Sequence, residues 1–231
     1  MEQCKTCQGG CCRRYNIHLW GSDIIKICNA LKVDISFFTY AYHIEEDKIE
    51  NLKGKDPLFI FTDSGKEEYF ILILKSNESK YYPDTLKCIF LQEWSADALG
   101  SEELSGIIGR CGIYGIRPVT CRAWPAGYEE ETQNIVIRDP HLILEKKHKR
   151  TSDSPALDIC KNTLTHQDYI NFEAQYIEDS IINHHEKQFF LKVAEKWNKN
   201  PDISDNFYKF LVKEYNNRIE YIKGEVVYGT V

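Results

Sequence analysis

Cys4-Lys5-Thr6-Cys7-Gln8-Gly9-Gly10-Cys11-Cys12 places four thiols at the spacing C-x2-C-x3-C-C, with two glycines in the tighter part of the loop. A CxxC turn can present two sulfurs to one soft cation while its backbone N–H groups hydrogen-bond to them. This stretch therefore predicts a metal-holding loop, and with it a fold organised around thiolates.

Working outward, Cys88, Cys111, Cys121 and Cys160 recur through the middle of the chain and bring the number to eight. Eight thiolates are two complete sets of four, the usual complement of a structural zinc site or a cubane iron–sulfur cluster. The ninth cysteine, Cys28, stands in Ser22-Asp23-Ile24-Ile25-Lys26-Ile27-Cys28-Asn29-Ala30-Leu31. There Ser22 reads as a helix N-cap, and Ile24, Ile27, Cys28 and Leu31 share one apolar face. Cys28 is expected to be an ordinary buried thiol, a common fate for free cysteine.

Composition narrows the class. The 231 residues are 42% hydrophobic and 28% charged, ordinary for a globular chain and unlike a disordered or fibrous one. No run of 18 or more apolar residues is present, and the cysteine cluster occupies the place where a signal peptide would need its apolar stretch. A reducing, cytoplasmic location is expected, with no membrane association, which argues against a disulfide framework. The net charge of −6 argues against nucleic acid as a partner, whereas an unknown protein partner fits the composition. The basic run Glu145-Lys146-Lys147-His148-Lys149-Arg150 reads as a solvated loop.

Breakers and periodicity divide the chain further. Residues 1–21 form the cysteine loop and a connection, 22–32 a helix, and Asp34–Tyr40 a turn into a second short helix. Glu68–Leu74 and Leu86–Leu91 are rich in β-branched and aromatic residues with Pro83 and Asp84 between them, so a hairpin or meander is expected, with Cys88 on a strand. Residues 92–109 are polar and rich in small residues and read as an inserted loop with room for one helical turn, and Asn134–Arg138 as a further strand. Thr165-His166-Gln167-Asp168 resembles a capping box, from which a helix runs to about Asn198; a last helix follows Pro201 to about Ile222. The expected fold is α+β: an irregular, metal-stapled cysteine-rich core (1–162) with a small antiparallel sheet, and a helical C-terminal extension (163–231) packed on it.

A second motif runs Cys111-Gly112-Ile113-Tyr114-Gly115-Ile116-Arg117-Pro118-Val119-Thr120-Cys121-Arg122-Ala123-Trp124-Pro125. Pro118 and Pro125 push the residues before them out of helical geometry, so a rigid non-helical loop is expected to aim two sulfurs inward. Arg13, Arg14, Arg110, Arg117 and Arg122 adjoin cysteines, and charge compensation of two thiolate sites, about four negative charges in all, suits them.

These pieces together resemble the YkgJ-type cysteine-cluster family, described as zinc- or iron-chelating domains and related to the cysteine-rich part of flagellin lysine-N-methylases. The resemblance is carried by Cys4-x2-Cys7-x3-Cys11-Cys12, by Cys88-x-Phe90-Leu91, by Cys111-x-Ile113-Tyr114-x2-Arg117-Pro118-x2-Cys121-Arg122-x-Trp124-Pro125, and by Cys160 downstream. It implies metal ligation by Cys4, Cys7, Cys11, Cys12, Cys88, Cys111, Cys121 and Cys160. The spacer between Cys88 and Cys111 is longer than the family's usual hairpin, and the helical C-terminal third lies outside the resemblance.

Zn2+ is favoured over iron or an iron–sulfur cluster, since the spacing departs from the bacterial ferredoxin run C-x2-C-x2-C-x3-C-P and CxxC knuckles are commonest in structural zinc sites. For a metal with an open catalytic position, His18 and His184-His185-Glu186 are the nearest ligands, but adjacent helical histidines point about 100° apart and read as surface residues. The expectation is a metal-binding protein with a structural or recognition role. The alternative is an iron–sulfur or metal-dependent enzyme, such as a lysine-methyltransferase-like or redox protein, although no glycine-rich strand–turn–helix, HExxH, nucleophile elbow or P-loop occurs.

Overall fold

A computed structural model describes residues 9–13, 16–95, 97–99, 106–137 and 174–228. In chain order the elements begin with a 3-10 turn at Cys11–Arg13, then α1 (Gly21–Leu31), α2 (Ile35–Phe38), β1 (Thr39–His43), α3 (Glu46–Leu52), β2 (Phe59–Phe61) and β3 (Glu68–Leu74). The short strands β4 (Ser76–Glu78), β5 (Leu86–Cys88), β6 (Leu91–Ser95) and β7 (Ile107–Cys111) follow. After α4 (Val119–Ala123) come β8 (Ala126–Glu129), β9 (Asn134–Ile137), α5 (Ala174–Trp197) and α6 (Ser204–Tyr228). The fold class is α+β, as expected from sequence.

Contacts group the chain into two units, one of residues up to Ile17 with Leu74–Asn183, the other of His18–Ile73 with His184 onward. The second unit contains a three-stranded sheet of order β1-β3-β2, with Phe59 opposite Phe70 in the antiparallel β2–β3 pair. Five rings fill its core: Phe59 lies 4.9 Å from both Phe190 and Phe207, and Trp197 lies 5.2 Å from Phe207 and 5.9 Å from Phe61, centroid to centroid. Each such side chain, once buried, contributes about 1.5–3 kcal/mol of apolar transfer. Polar groups are satisfied around them. Trp197 Nε1 donates to the Ile60 carbonyl at 2.6 Å, and the Asn198 side chain accepts from Ile60 N while donating to the Leu58 carbonyl.

Helix α1 corrects one expectation. It starts at Gly21, its N-cap is Trp20 with no side-chain cap bond, and Ser22 lies inside the first turn. A Cβ on Gly21 would stand 2.4 Å from Tyr215 Cε2 and 2.7 Å from Leu211 Cδ1, so close packing against α6 sets this helix start. Ile24, Ile27 and Cys28 are buried as expected, but Leu31 is exposed and Asp23 takes a buried position instead, 3.3 Å from Lys26 Nζ. Asp34 caps α2 by accepting from Ser36 N at 2.7 Å, the expected short helix. Strand β1, directly after it, was not anticipated.

Among the described residues the sheets of the first unit are two-stranded antiparallel hairpins: β4–β5, β6–β7 and β8–β9. Two expectations are corrected here. The stretch 86–91 is not one strand but two, broken by a turn in which Ile89 N donates to the Lys75 carbonyl, and β5 pairs with β4 rather than with β3. The polar stretch 92–109 is not an open loop, since β6 pairs with β7 from Leu91 opposite Cys111 to Ser95 opposite Ile107, while the single helical turn expected within it is present as a 3-10 turn at Asp97–Leu99. Leu91, Ile108 and Gly109 are buried while Gln92 and Arg110 are exposed, so burial does not alternate cleanly and the polar residues dominate the composition of the stretch. Strand β9 lies where expected, α5 ends at Trp197 against the expected Asn198, and α6 begins after Pro201 as expected but continues past Ile222 to Tyr228, while the Thr165–Asp168 capping box and the basic run 146–150 lie outside the described residues. Among the described residues no helix is long and apolar enough to cross a membrane.

Candidate metal centre

Three turns and one short helix bring cysteines together in the first unit. In the Cys11–Arg13 turn, Cys12 N donates to the Gly9 carbonyl at 3.0 Å and Arg13 N to that of Gly10 at 3.2 Å. Gly9 has φ +80°, and a Cβ there would lie 2.7 Å from Leu91 Cδ1, so both its backbone and its packing call for glycine. The turn packs against β5, whose last residue is Cys88. Cys111 ends β7 opposite Leu91, and Gly112 N donates to the Phe90 carbonyl at 2.8 Å, tying the turns after Cys88 and Cys111 to each other. Cys121 sits on α4. The expected non-helical loop at 111–125 is corrected, because Pro118 bends Arg117 away but supplies the preset φ that opens the α4 turn behind it.

Electrostatics show that these thiols share one neighbourhood. The Cys12 thiol donates to the Cys11 sulfur, which holds Cys11 below the ordinary thiol value of 9.0 despite its burial, with help from Arg117. The same hydrogen bond and burial, then the charges of Cys11, Cys88 and Cys121, push Cys12 well above it. Burial pushes Cys88 up to about 11, with Cys111 and Cys11 adding to the rise, while the backbone N–H groups of Phe90 and Leu91 hydrogen-bond to its sulfur and oppose it. Cys111 is raised by burial and by Cys11, and eased by the Ile113 N–H and Arg117. Thiols crowded in this way ionise reluctantly unless a cation absorbs their charge. Sulfur donors met by backbone N–H groups are the surroundings that a bound soft metal requires, so the donor chemistry fits such an ion.

The arginines divide. Arg117 acts on the sulfurs, its guanidinium 4.2 Å above the Tyr114 ring. Arg13 instead is buried in an ion pair with Glu93 at 2.5 Å, and Ser79 Oγ donates to the same carboxylate at 2.8 Å. Burial would raise Glu93, but Ser79 and then Arg13 outweigh it and hold the carboxyl below its usual range. Arg122 pairs with the buried Asp179 of α5 at 2.8 Å, and Arg110 donates to the Gly109 carbonyl. Arg14 lies outside the described residues.

So do Cys4, Cys7 and Cys160. Among the described residues no three or more Cys, His, Asp or Glu side chains are arranged to hold one ion, so Cys11, Cys12, Cys88, Cys111 and Cys121 form a neighbourhood rather than a closed coordination sphere. Cys28 belongs to the other unit, where it is buried and hydrogen-bonded with Tyr208. His18 is there too, 3.9 Å from Asp56, while the rings of His184 and His185 are 5.4 Å apart and Glu186 accepts from Arg218 and Tyr215. Sequence reasoning missed Glu93, Ser79 and Asp179, which support the cysteine-bearing turns. No local signal in the sequence marked them, because each acts through a partner distant in the chain.

Residues 3–141 match the model of a family described as CxxCxxCC, "Putative zinc- or iron-chelating domain". The chain belongs to this family. The CxxCxxCC label has two residues between its second and third cysteines, where this chain has three, Gln8-Gly9-Gly10. The resemblance to cysteine-cluster proteins holds at this level, and the family's two metal options leave zinc and iron both standing. No curated protein and no solved structure matches the chain.

Proposed function

We propose that this protein is a metal-binding module whose Cys11, Cys12, Cys88, Cys111 and Cys121, completed by Cys4, Cys7 and Cys160, coordinate metal through thiolates and thereby hold a loop-rich fold together. The observation that carries the reading is the convergence of five thiols from three turns and a helix onto one electrostatic neighbourhood. Zinc is the ion we favour, because closed thiolate sites with N–H···S hydrogen bonds suit a d10 cation with no redox demand. Bound there, the ion supplies folding free energy and fixes a surface for a protein partner, and the compartment we infer is cytoplasmic. The test is elemental analysis with a visible spectrum on protein purified without oxygen and without a metal-binding tag. Zinc at about two per chain in a colourless sample is expected. Iron with acid-labile sulfide in a brown sample would turn the function toward electron transfer or radical chemistry, and protein with neither metal would overturn the proposal.

A further inference from the structure

In the second unit, five lysines line one groove of about 820 Å³ between the end of α5 and α6. Lys192 and Lys196 stand at i, i+4 on α5, Lys199 follows in the turn after it, and Lys209 and Lys213 stand at i, i+4 on α6. Lys196 is held by the Glu214 carboxylate at 2.7 Å. Among the described residues the other four form no ion pair, and all are exposed. In a chain of net charge −6 this concentration of unpaired cations is a local reversal of sign.

We propose that this groove is a docking site for an acidic segment of a partner protein, a function separate from metal binding. Charge complementarity calls for an anionic occupant, and three observations favour a polypeptide over a nucleic acid. Among the described residues the groove is lined by no arginine to grip phosphate in a bidentate fork. Glu195 and Asp202 share its lining, which a uniformly charged phosphate backbone would meet as repulsion but a mixed peptide can avoid. Trp197 is only 4% exposed, locked among Phe61, Phe207 and Phe210 with its N–H already donated, so it presents no face on which a base can stack. Phe210 adds a half-buried apolar edge for the aliphatic residues of such a segment.

Fluorescence anisotropy of the full-length metal-loaded protein with a labelled (Glu-Glu-Leu)4 peptide tests this, with a twelve-nucleotide oligo(dT) as comparator. The combined change Lys192→Ser, Lys199→Ser, Lys209→Ser and Lys213→Ser is expected to weaken peptide binding about ten-fold or more, while arginine at the same four positions retains it and Lys66→Ser, elsewhere on the surface, leaves it unchanged. If the fourfold variant loses its helical circular dichroism, Lys199→Glu and Lys213→Glu singly carry the test, each weakening binding about three-fold or more. Absence of binding by the natural sequence, equal binding by the lysine variants, or tighter binding of oligo(dT) would overturn the proposal.

Discussion

Two cysteines of the chain make opposite demands on the same substitution. Cys11 lies in the crowded neighbourhood, accepting from Cys12 and feeling Arg117, whereas Cys28 is a buried thiol beside Tyr208 in the other unit. Cys11→Ser is therefore expected to lower metal content and thermal midpoint together, because a serine oxygen is a poor ligand for a soft ion. Cys28→Ser leaves metal content unchanged and costs about 1–3 kcal/mol at most, from a hydroxyl placed in a buried site. Equal metal loss in both would refute the ligand assignment. The distinction was legible in sequence, since the helical spacing of Ile24, Ile27 and Cys28 already assigned that cysteine to a core face. The fate of Arg13 was not legible, because its partner Glu93 is remote in the chain and only the β6–β7 pairing turns that carboxylate toward it.

Among the described elements, α4 is the α-helix that carries a candidate ligand, and five residues cannot hold a helical turn in place unaided. Its stability comes from α5, through the Arg122–Asp179 ion pair and the Thr120 hydroxyl donating to Asn183 Oδ1 at 3.0 Å. Asp179→Ala should lower stability by about 1–3 kcal/mol and speed the loss of metal to a chelator, with the exposed Asp205→Ala on α6 as the silent control. Chelator kinetics indistinguishable between the two variants would mean that α5 does not support Cys121. The β6–β7 ribbon shows why its strands were not legible at 92–109: Ile108 and Gly109 are buried side by side, so burial has no period of two, and the exposed Gln92 and Arg110 make the stretch read as polar.

For the whole molecule, metal and protons compete for the same sulfurs. Without metal, burial pushes the Cys88 thiol up to about 11 from its ordinary 9.0, so the folded chain prefers the protonated thiol. Its contribution is fully present below pH 9.0 and is lost as pH rises toward 11. Chelator-treated protein should consequently lose thermal stability across that window, and metal-loaded protein, whose thiolates are already formed, should not; parallel pH profiles for the two forms would contradict thiolate ligation. The order of cysteines, the α+β class, the long C-terminal helices and the family itself were determined by sequence, because ligand spacing and hydrophobic period are properties of neighbouring residues. Which thiols meet, which arginine faces them, and the gathering of lysines from two helices into one groove were decided only by tertiary structure, because each depends on residues that the chain separates and only long-range packing reunites.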